Sequence, residues 1–284
     1  MRAISVLAVA FAAAILSGTG GCVIDIDDFS FDSSDFSHRF HDYFEADLQG
    51  IERVVITIPR GGVLVATWGE PRIEIGVEER IKARDRARAG EIADEVHLAG
   101  HRTGNQLRID VDYGEVYHLR RYYMCSLDIE MPADIEVSIE TTHGGINLER
   151  MERSVTVSST HGGITLEGCN GDADLRSTHG SIDIGPVGGS VFAESTNGAI
   201  VIRGATDNVT ARTSHGAIEI ELAASEGYSI DASTTHAAVS DTLPDDLFEA
   251  DYNRSRTSLR CRYRDGRHRV FLKTTHGGIS ISAR

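Results

Sequence analysis

Apolar and polar residues alternate with a period of two through much of residues 137–223, and that alternation itself recurs every 18 residues. Five units start at Val137, Val155, Ala173, Val191 and Val209, and their third positions are Ile139, Val157, Leu175, Ala193 and Ala211. Mostly polar residues lie between: Ser138, Thr156, Asp174, Phe192 and Thr210. This pattern predicts a strand with one buried face. A second strand follows in each unit, with Ile146, Ile164, Ile182, Ile200 and Ile218 at tenth place and Leu148, Leu166, Ile184, Ile202 and Ile220 at twelfth. Branched aliphatics of this kind suit a pleated, packed surface. Met151, Cys169, Val187, Ala205 and Ala223 make a third apolar column at fifteenth place, where Cys169 reads as a small buried hydrophobe.

An 18-residue unit is too small to bury its own apolar face, so the units must stack. The predicted fold class is all-β: a single-domain β-solenoid (β-helix-like) with 18-residue coils, like positions lying about 4.8 Å apart. An antiparallel meander is the rival; it gives no reason for every second strand to repeat one corner.

That corner reads Thr/Ser, then His or Asn, then Gly. Its residues are His143 and Gly144, His161 and Gly162, His179 and Gly180, Asn197 and Gly198, and His215 and Gly216. Looser copies hold His236, followed by Ala237, and His276 with Gly277. Histidine and asparagine share little acid–base chemistry, yet both are enriched at positive φ. The expectation is therefore a left-handed or otherwise tight corner in which the imidazole serves the backbone. Thr141, Ser159, Ser177, Ser195 and Thr213 continue the inward parity, and a hydroxyl entering an apolar interior must find a hydrogen bond.

Both ends of the array are irregular. The unit at Ile230 arrives three residues late, residues 241–253 read as an excursion, and the pattern returns from Val270 to Ile281 as a terminal coil or capping strand. Arg254, Arg256, Arg260, Arg262, Arg264, Arg267 and Arg269 predict an edge strand with cations on its wet face. Upstream, 54–58, 63–65, 72–78, 107–111 and 127–131 read as strands, and apolar spacing over 81–98 predicts one inserted helix. The expected organisation is a signal peptide over 1–21, an acidic tether over 22–50, N-terminal strands with a helical insertion over 51–136, and regular coils with a C-terminal cap over 137–284. The tether's aromatics offer an alternative, folding back onto the first β element.

The phrase Leu127-Asp128-Ile129-Glu130-Met131-Pro132-Ala133-Asp134-Ile135, followed by Thr-x-Gly-x-Ile repeats, resembles the bacterial β-strand-repeat family of unknown function that carries an adhesin label. The resemblance spans roughly residues 50–284 and implies the fold; it brings no catalytic set.

Charge narrows the partners. With 43 acidic and 28 basic residues the net charge is -15, which disfavours a nucleic-acid phosphate backbone. At the N-terminus, Met1-Arg2, an apolar run from Ala3 to Leu16 and small residues describe a secretory signal. Leu16-Ser17-Gly18-Thr19-Gly20-Gly21-Cys22 resembles the bacterial lipobox, which implies a lipidated Cys22, membrane attachment through acyl chains, and residence in the cell envelope as an outer-membrane lipoprotein. The leading functional expectation is a noncatalytic, envelope-anchored scaffold or adhesin-like module facing a protein or glycan partner, with no cofactor. The alternatives are a periplasmic metal-binding module using His143, His161 and His179, and a carbohydrate-active β-helical enzyme using Asp172, Asp174 and Asp183. Cys125 and Cys261 are candidates for a disulfide.

Overall fold

Alternating burial runs through the strands of the computed structural model, which describes residues 37–244 and 253–284. Cys22, the signal segment and residues 22–36 of the expected tether lie outside the described residues. The N-terminal part contains β1 (Ser37–Asp47), β2 (Arg53–Arg60), β3 (Val63–Trp68), β4 (Arg72–Lys82), α1 (Arg86–Glu95), β5 (His97–Thr103), β6 (Gln106–Asp112), a 3-10 stretch over Gly114–Tyr122, and β7 (Tyr123–Pro132). The regular units supply ten strands. These are β8 (Glu136–His143), β9 (Ile146–Met151), β10 (Val155–Ser159), β11 (Ile164–Cys169), β12 (Ala173–Ser177), β13 (Ile182–Ile184), β14 (Val191–Ser195), β15 (Ile200–Ala205), β16 (Val209–Thr213) and β17 (Ile218–Leu222). The C-terminal part adds β18 (Tyr228–Ser233), β19 (Val239–Asp241), β20 (Asn253–Arg254), β21 (Ser258–Tyr263), β22 (His268–Lys273) and β23 (Ile279–Ala283).

Among the described residues these form sheets of 11 and 12 strands whose inward faces share one apolar core. In the second sheet β8, β10, β12, β14 and β16 pair in parallel, aligning Val137, Val155, Ala173, Val191 and Val209. In the first sheet β9, β11, β13, β15 and β17 pair in parallel, aligning Ile146, Ile164, Ile182, Ile200 and Ile218. Each unit therefore gives one strand to each sheet. The fold is all-β and mostly parallel, with one α-helix among the described residues.

Chain order and spatial order part at both ends of the array. β2 and β3 lie between the unit at 137–151 and the later strands β6 and β7. Likewise β22 and β23 slot between β16–β17 and β18–β19. The returning C-terminal unit is thus a coil in the interior of the stack and not a capping strand, and the cap is formed by β18 to β21. The three extra residues before Ile230 explain the vacated slot: they supply about 10 Å of chain, enough to cross one further strand spacing of about 4.8 Å.

Three other expectations change. The helix is shorter than 81–98, because Ile81 continues the inward alternation of Ile73, Ile75 and Val77 and is buried in β4. α1 starts only where the Asp85 side chain accepts from the Arg88 N–H at 2.9 Å. Residues 37–47 are not tether but an 11-residue strand antiparallel to β4. Phe40 and Phe44 hold it to the core, and Phe44 lies so close to Gly100 of β5 that a Cβ there would meet its ring at 2.5 Å. The fifteenth-place column ends in Leu222 rather than Ala223, because Gly204, at φ 68°, makes a bulge that shifts the register between Arg203 and Ala205.

Candidate functional site

The repeated corner joins the two sheets along one side of the stack, where a ladder of hydroxyls runs just inside it. Ser177 Oγ accepts from the Gly180 N–H at 2.9 Å and donates to the Gly162 carbonyl of the preceding unit at 3.0 Å. Ser195 repeats this with Gly198 and Gly180 at 2.9 and 3.0 Å, and Thr213 with Gly216 and Gly198 at 3.2 and 2.9 Å. Thr274 accepts from Gly277 and donates to Gly216, which carries the ladder into the inserted unit. Each of these four hydroxyls therefore satisfies one donor of its own unit and one acceptor of the preceding unit in the stack.

Of the expected left-handed or otherwise tight corner, the left-handed backbone is found at Gly144 alone, and the other corner glycines have a different cause. Gly144 does have a positive φ of 136°, but Gly162, Gly180, Gly198, Gly216 and Gly277 do not, and no corner histidine does. A Cβ at Gly162, Gly180 or Gly198 would lie 1.7–1.9 Å from the carbonyl oxygen of the preceding corner glycine. Units stack backbone on backbone here, and only a missing side chain permits that approach. Ala237, the exception, stands in the repeat unit stacked on that of Gly277, and nothing in the structure explains its side chain there.

The exchange of histidine for asparagine follows from hydrogen bonding. Nδ1 of His161, His179 and His236 lies 3.2 Å from the carbonyls of Thr142, Thr160 and Thr275, and Asn197 Nδ2 donates to the Thr178 carbonyl at 3.4 Å. The same four carbonyls accept the backbone N–H of these residues at 3.0 Å. Since a carbonyl oxygen can only accept, the imidazole carries its proton on Nδ1. The outer edge of the ladder is a column of parallel rings. Centroids are 4.4 Å apart for His143–His161, 4.8 Å for His161–His179 and His215–His276, and 4.7 Å for His236–His276. Burial, the Arg60 charge and the neighbouring His161 hold His143 below the ordinary imidazole range.

The geometry of this column gives no support to a metal site at His143, His161 and His179. Interplanar angles of 11° and 2° keep the in-plane lone pairs parallel, whereas ligands must converge on an ion at about 2.0–2.1 Å. At His161 and His179 the Nδ1 atoms are also engaged with carbonyls. Among the described residues no group of three or more His, Cys, Asp or Glu is arranged to hold a metal. The aspartates of the enzyme alternative are likewise separated. Asp174, on the second sheet, pairs with Arg176 at 2.9 Å; Asp183, on the first, pairs with Arg203; Asp172 accepts from the Ser190 N–H at 2.8 Å.

Cys125 and Cys261 are free and buried, on different sheets, and do not form a disulfide; burial pushes each thiol up to about 12. Among the arginines of residues 254–269, Arg254 pairs with Asp241, Arg260 with Asp231, and Arg267 with Glu226 and Asp265, all acids of this same chain, while Arg264 lies over the Tyr263 ring.

Three features were not legible from the repeat. Glu79 is buried, accepts from Tyr123 Oη at 2.7 Å, and is raised above the carboxylate range by desolvation against that hydrogen bond. On the outer face of the second sheet, the Arg176 guanidinium lies 4.7 Å from the Phe192 ring centroid and Arg212 lies 5.1 Å from that of Phe271. A cleft of about 740 Å³ opens on the opposite side of the stack from the histidines, lined by Glu52, Arg53, Asp134, Glu136 and Arg153 among others.

The family described as Toastrack DUF4097 matches residues 95–282. Solved structures with a similar course include a candidate adhesin from Bacteroides fragilis NCTC 9343, with 13% identity, 86% of this chain and 97% of that chain covered, and a TM-score of 0.41. A candidate cell adhesion protein from Clostridium sporogenes ATCC 15579 has 9% identity, covers 87% of this chain and 100% of its own, and has a TM-score of 0.35. No curated protein matches the chain.

Proposed function

The chain belongs to the Toastrack DUF4097 family, and from that premise we propose that it is a noncatalytic scaffold, a β-solenoid of 18-residue coils held at the cell envelope that displays its flat sides to a protein or glycan. What supports this reading is the outer face of the second sheet. There the side chains project at fixed strand spacing, and Phe192 and Phe271 stand under guanidinium groups. Guanidinium groups held flat over aromatic rings present planar cationic faces that suit stacking against planar side chains and hydrogen bonding to sugar hydroxyls. The hydroxyl and glycine ladders make the surface stiff, because moving one unit breaks bonds to the units on either side.

Attachment through a lipidated Cys22, and with it the outer-membrane location, belongs to the same proposal. Among the described residues no helix is long and apolar enough to cross a membrane. Mass spectrometry of the mature N-terminus tests it: a diacylated cysteine supports the anchor, and any residue retained before Cys22 refutes it.

The binding role is tested by crosslinking and partner capture from intact cells. Phe192→Ser combined with Phe271→Ser should abolish capture of a partner held by the intact protein, while the melting transition stays put. A variant lacking residues 23–36, which leaves β1 whole, should still capture that partner in solution. Unchanged capture by the double variant would remove this face from the account.

A further inference from the structure

Three of the four outer sheet edges are poor templates for further pairing. β19 has three residues and β20 two. β5 has only seven residues and carries Gly100 at its centre, which weakens a strand. β1 is different. It runs for 11 residues, keeps unbroken register with β4, contains no proline or lysine, and has no strand on its other side among the described residues. A long regular edge exposes a row of backbone donors and acceptors that proteins normally blunt. Its outward-facing residues Arg39, His41, Tyr43, Glu45 and Asp47 are exposed, Tyr43 to 54%.

The charge along β1 is polarised. His38, Arg39 and His41 occupy its first half, Glu45 and Asp47 its second, and Asp42 its centre. Parallel pairing of two copies would place like charges together, whereas antiparallel pairing about a two-fold axis sets the basic half of each against the acidic half of the other. We propose that β1 is a self-complementary homodimer edge that pairs antiparallel with β1 of a second copy, joining the two 11-stranded sheets into one. Residues opposite one another must point to the same face, so that the inward Phe40, Phe44 and Ala46 of both copies stay with their cores. Centring the axis at Tyr43 meets this condition and puts Arg39 opposite the other copy's Asp47, and His41 opposite its Glu45. Because the contact is the same patch on both partners, it closes at two and leaves no second long edge of the same kind.

The test is the mass of the full chain by sedimentation equilibrium over a concentration series at low and high salt. The expected result is a species of twice 30.8 kDa that dissociates as salt rises. Arg39→Glu alone and Asp47→Arg alone should each weaken the dimer at least tenfold, and the two together should restore it, since the swap rebuilds both pairs. Far-UV circular dichroism checks that each variant is folded, and restoration by the double variant reports pairing even if a single variant is damaged. In a Cys22→Ala background, Tyr43→Cys should oxidise to a covalent dimer, while Leu64→Cys, exposed on the same sheet away from the edge, should not. A monomer at all concentrations overturns the proposal. So does dimerisation that appears only after residues 1–36 are deleted, which would mean that the chain covers its own edge. A larger open assembly, or a dimer indifferent to the charge swap, overturns it as well.

Discussion

Replacing Gly180 by alanine isolates the contact on which the stacking of units rests. The added Cβ would lie 1.9 Å from the Gly162 carbonyl oxygen, where real Cβ contacts stay beyond 3.0 Å, so the two units must part by at least about 1.1 Å at the corner. A movement of that size lengthens the Ser177 Oγ to Gly162 and His179 N–H to Thr160 bonds, both 3.0 Å, past useful range. Overpacking costs about 1–3 kcal/mol, and two lost bonds add about 0.5–1.5 kcal/mol each. The expected loss is about 2–6 kcal/mol, a large part of the ~5–15 kcal/mol available to an ordinary domain. Equilibrium urea unfolding followed by circular dichroism measures it, and native-state hydrogen exchange should place the damage in the units flanking Gly180. Gly163→Ala is the control, since its Cβ would lie 3.4 Å from the Ser181 carbonyl; it should cost less than about 1 kcal/mol. Gly180→Asn separates the two explanations of the glycine. Asparagine tolerates left-handed backbone but not a blocked Cβ position, so it should fail as alanine does. Wild-type stability of Gly180→Ala, or rescue by asparagine, would refute the close-approach argument.

Ser177→Val should orphan the Gly180 N–H and the Gly162 carbonyl and cost about 1–3 kcal/mol per group in the same urea assay, while Ser177→Thr should be near neutral because Thr213 and Thr274 fill the same role. His179→Asn should preserve stability, as Asn197 already makes the equivalent bond, whereas His179→Leu should lose about 0.5–1.5 kcal/mol; nitrogen NMR of the wild-type ring should report a proton on Nδ1. His143, lowered by burial, contributes stability that is full above the ordinary imidazole value of about 6.5 and is lost as pH falls through its lowered value; His143→Asn should remove that slope from the pH dependence of the urea midpoint. Glu79 has the opposite sense. Its raised carboxyl contributes stability below the ordinary carboxylate value of about 4.3 that is lost as pH rises through the raised value, so Glu79→Gln should unfold later than wild type at about pH 7 and lose that advantage in acid.

The repeating core could be read from residue spacing because parallel register copies sequence period into spatial neighbourhood. Val137 to Val209 and Ile146 to Ile218 are aligned for that reason. Where the chain leaves sequential order, spacing fails as a guide. Nothing in the pattern of 268–283 says that it enters between the units at 209 and 228, although the three-residue delay before Ile230 was the trace of the gap it fills. At the corner the residue types were legible but their cause was not. Propensity for positive φ and close approach both select glycine, and only the distance from Gly180 to the Gly162 carbonyl distinguishes them. The shared hydrogen bond of His179 and Asn197 was hidden for a similar reason, since its acceptor lies 19 residues back. The polarised charge of β1 read as an acidic tether because His38, Arg39 and His41 are few beside the many acids of 23–50.

Methyl–methyl nuclear Overhauser contacts in protein labelled at Ile and Val test the order of stacking most directly. Like positions on neighbouring units lie about 4.8 Å apart. The account expects an unbroken series through Ile146, Ile164, Ile182, Ile200 and Ile218, continuing to Ile279 and then to Val239. A direct contact between Ile218 and Val239 without Ile279 between them, or a break anywhere from Ile146 to Ile218, would contradict it.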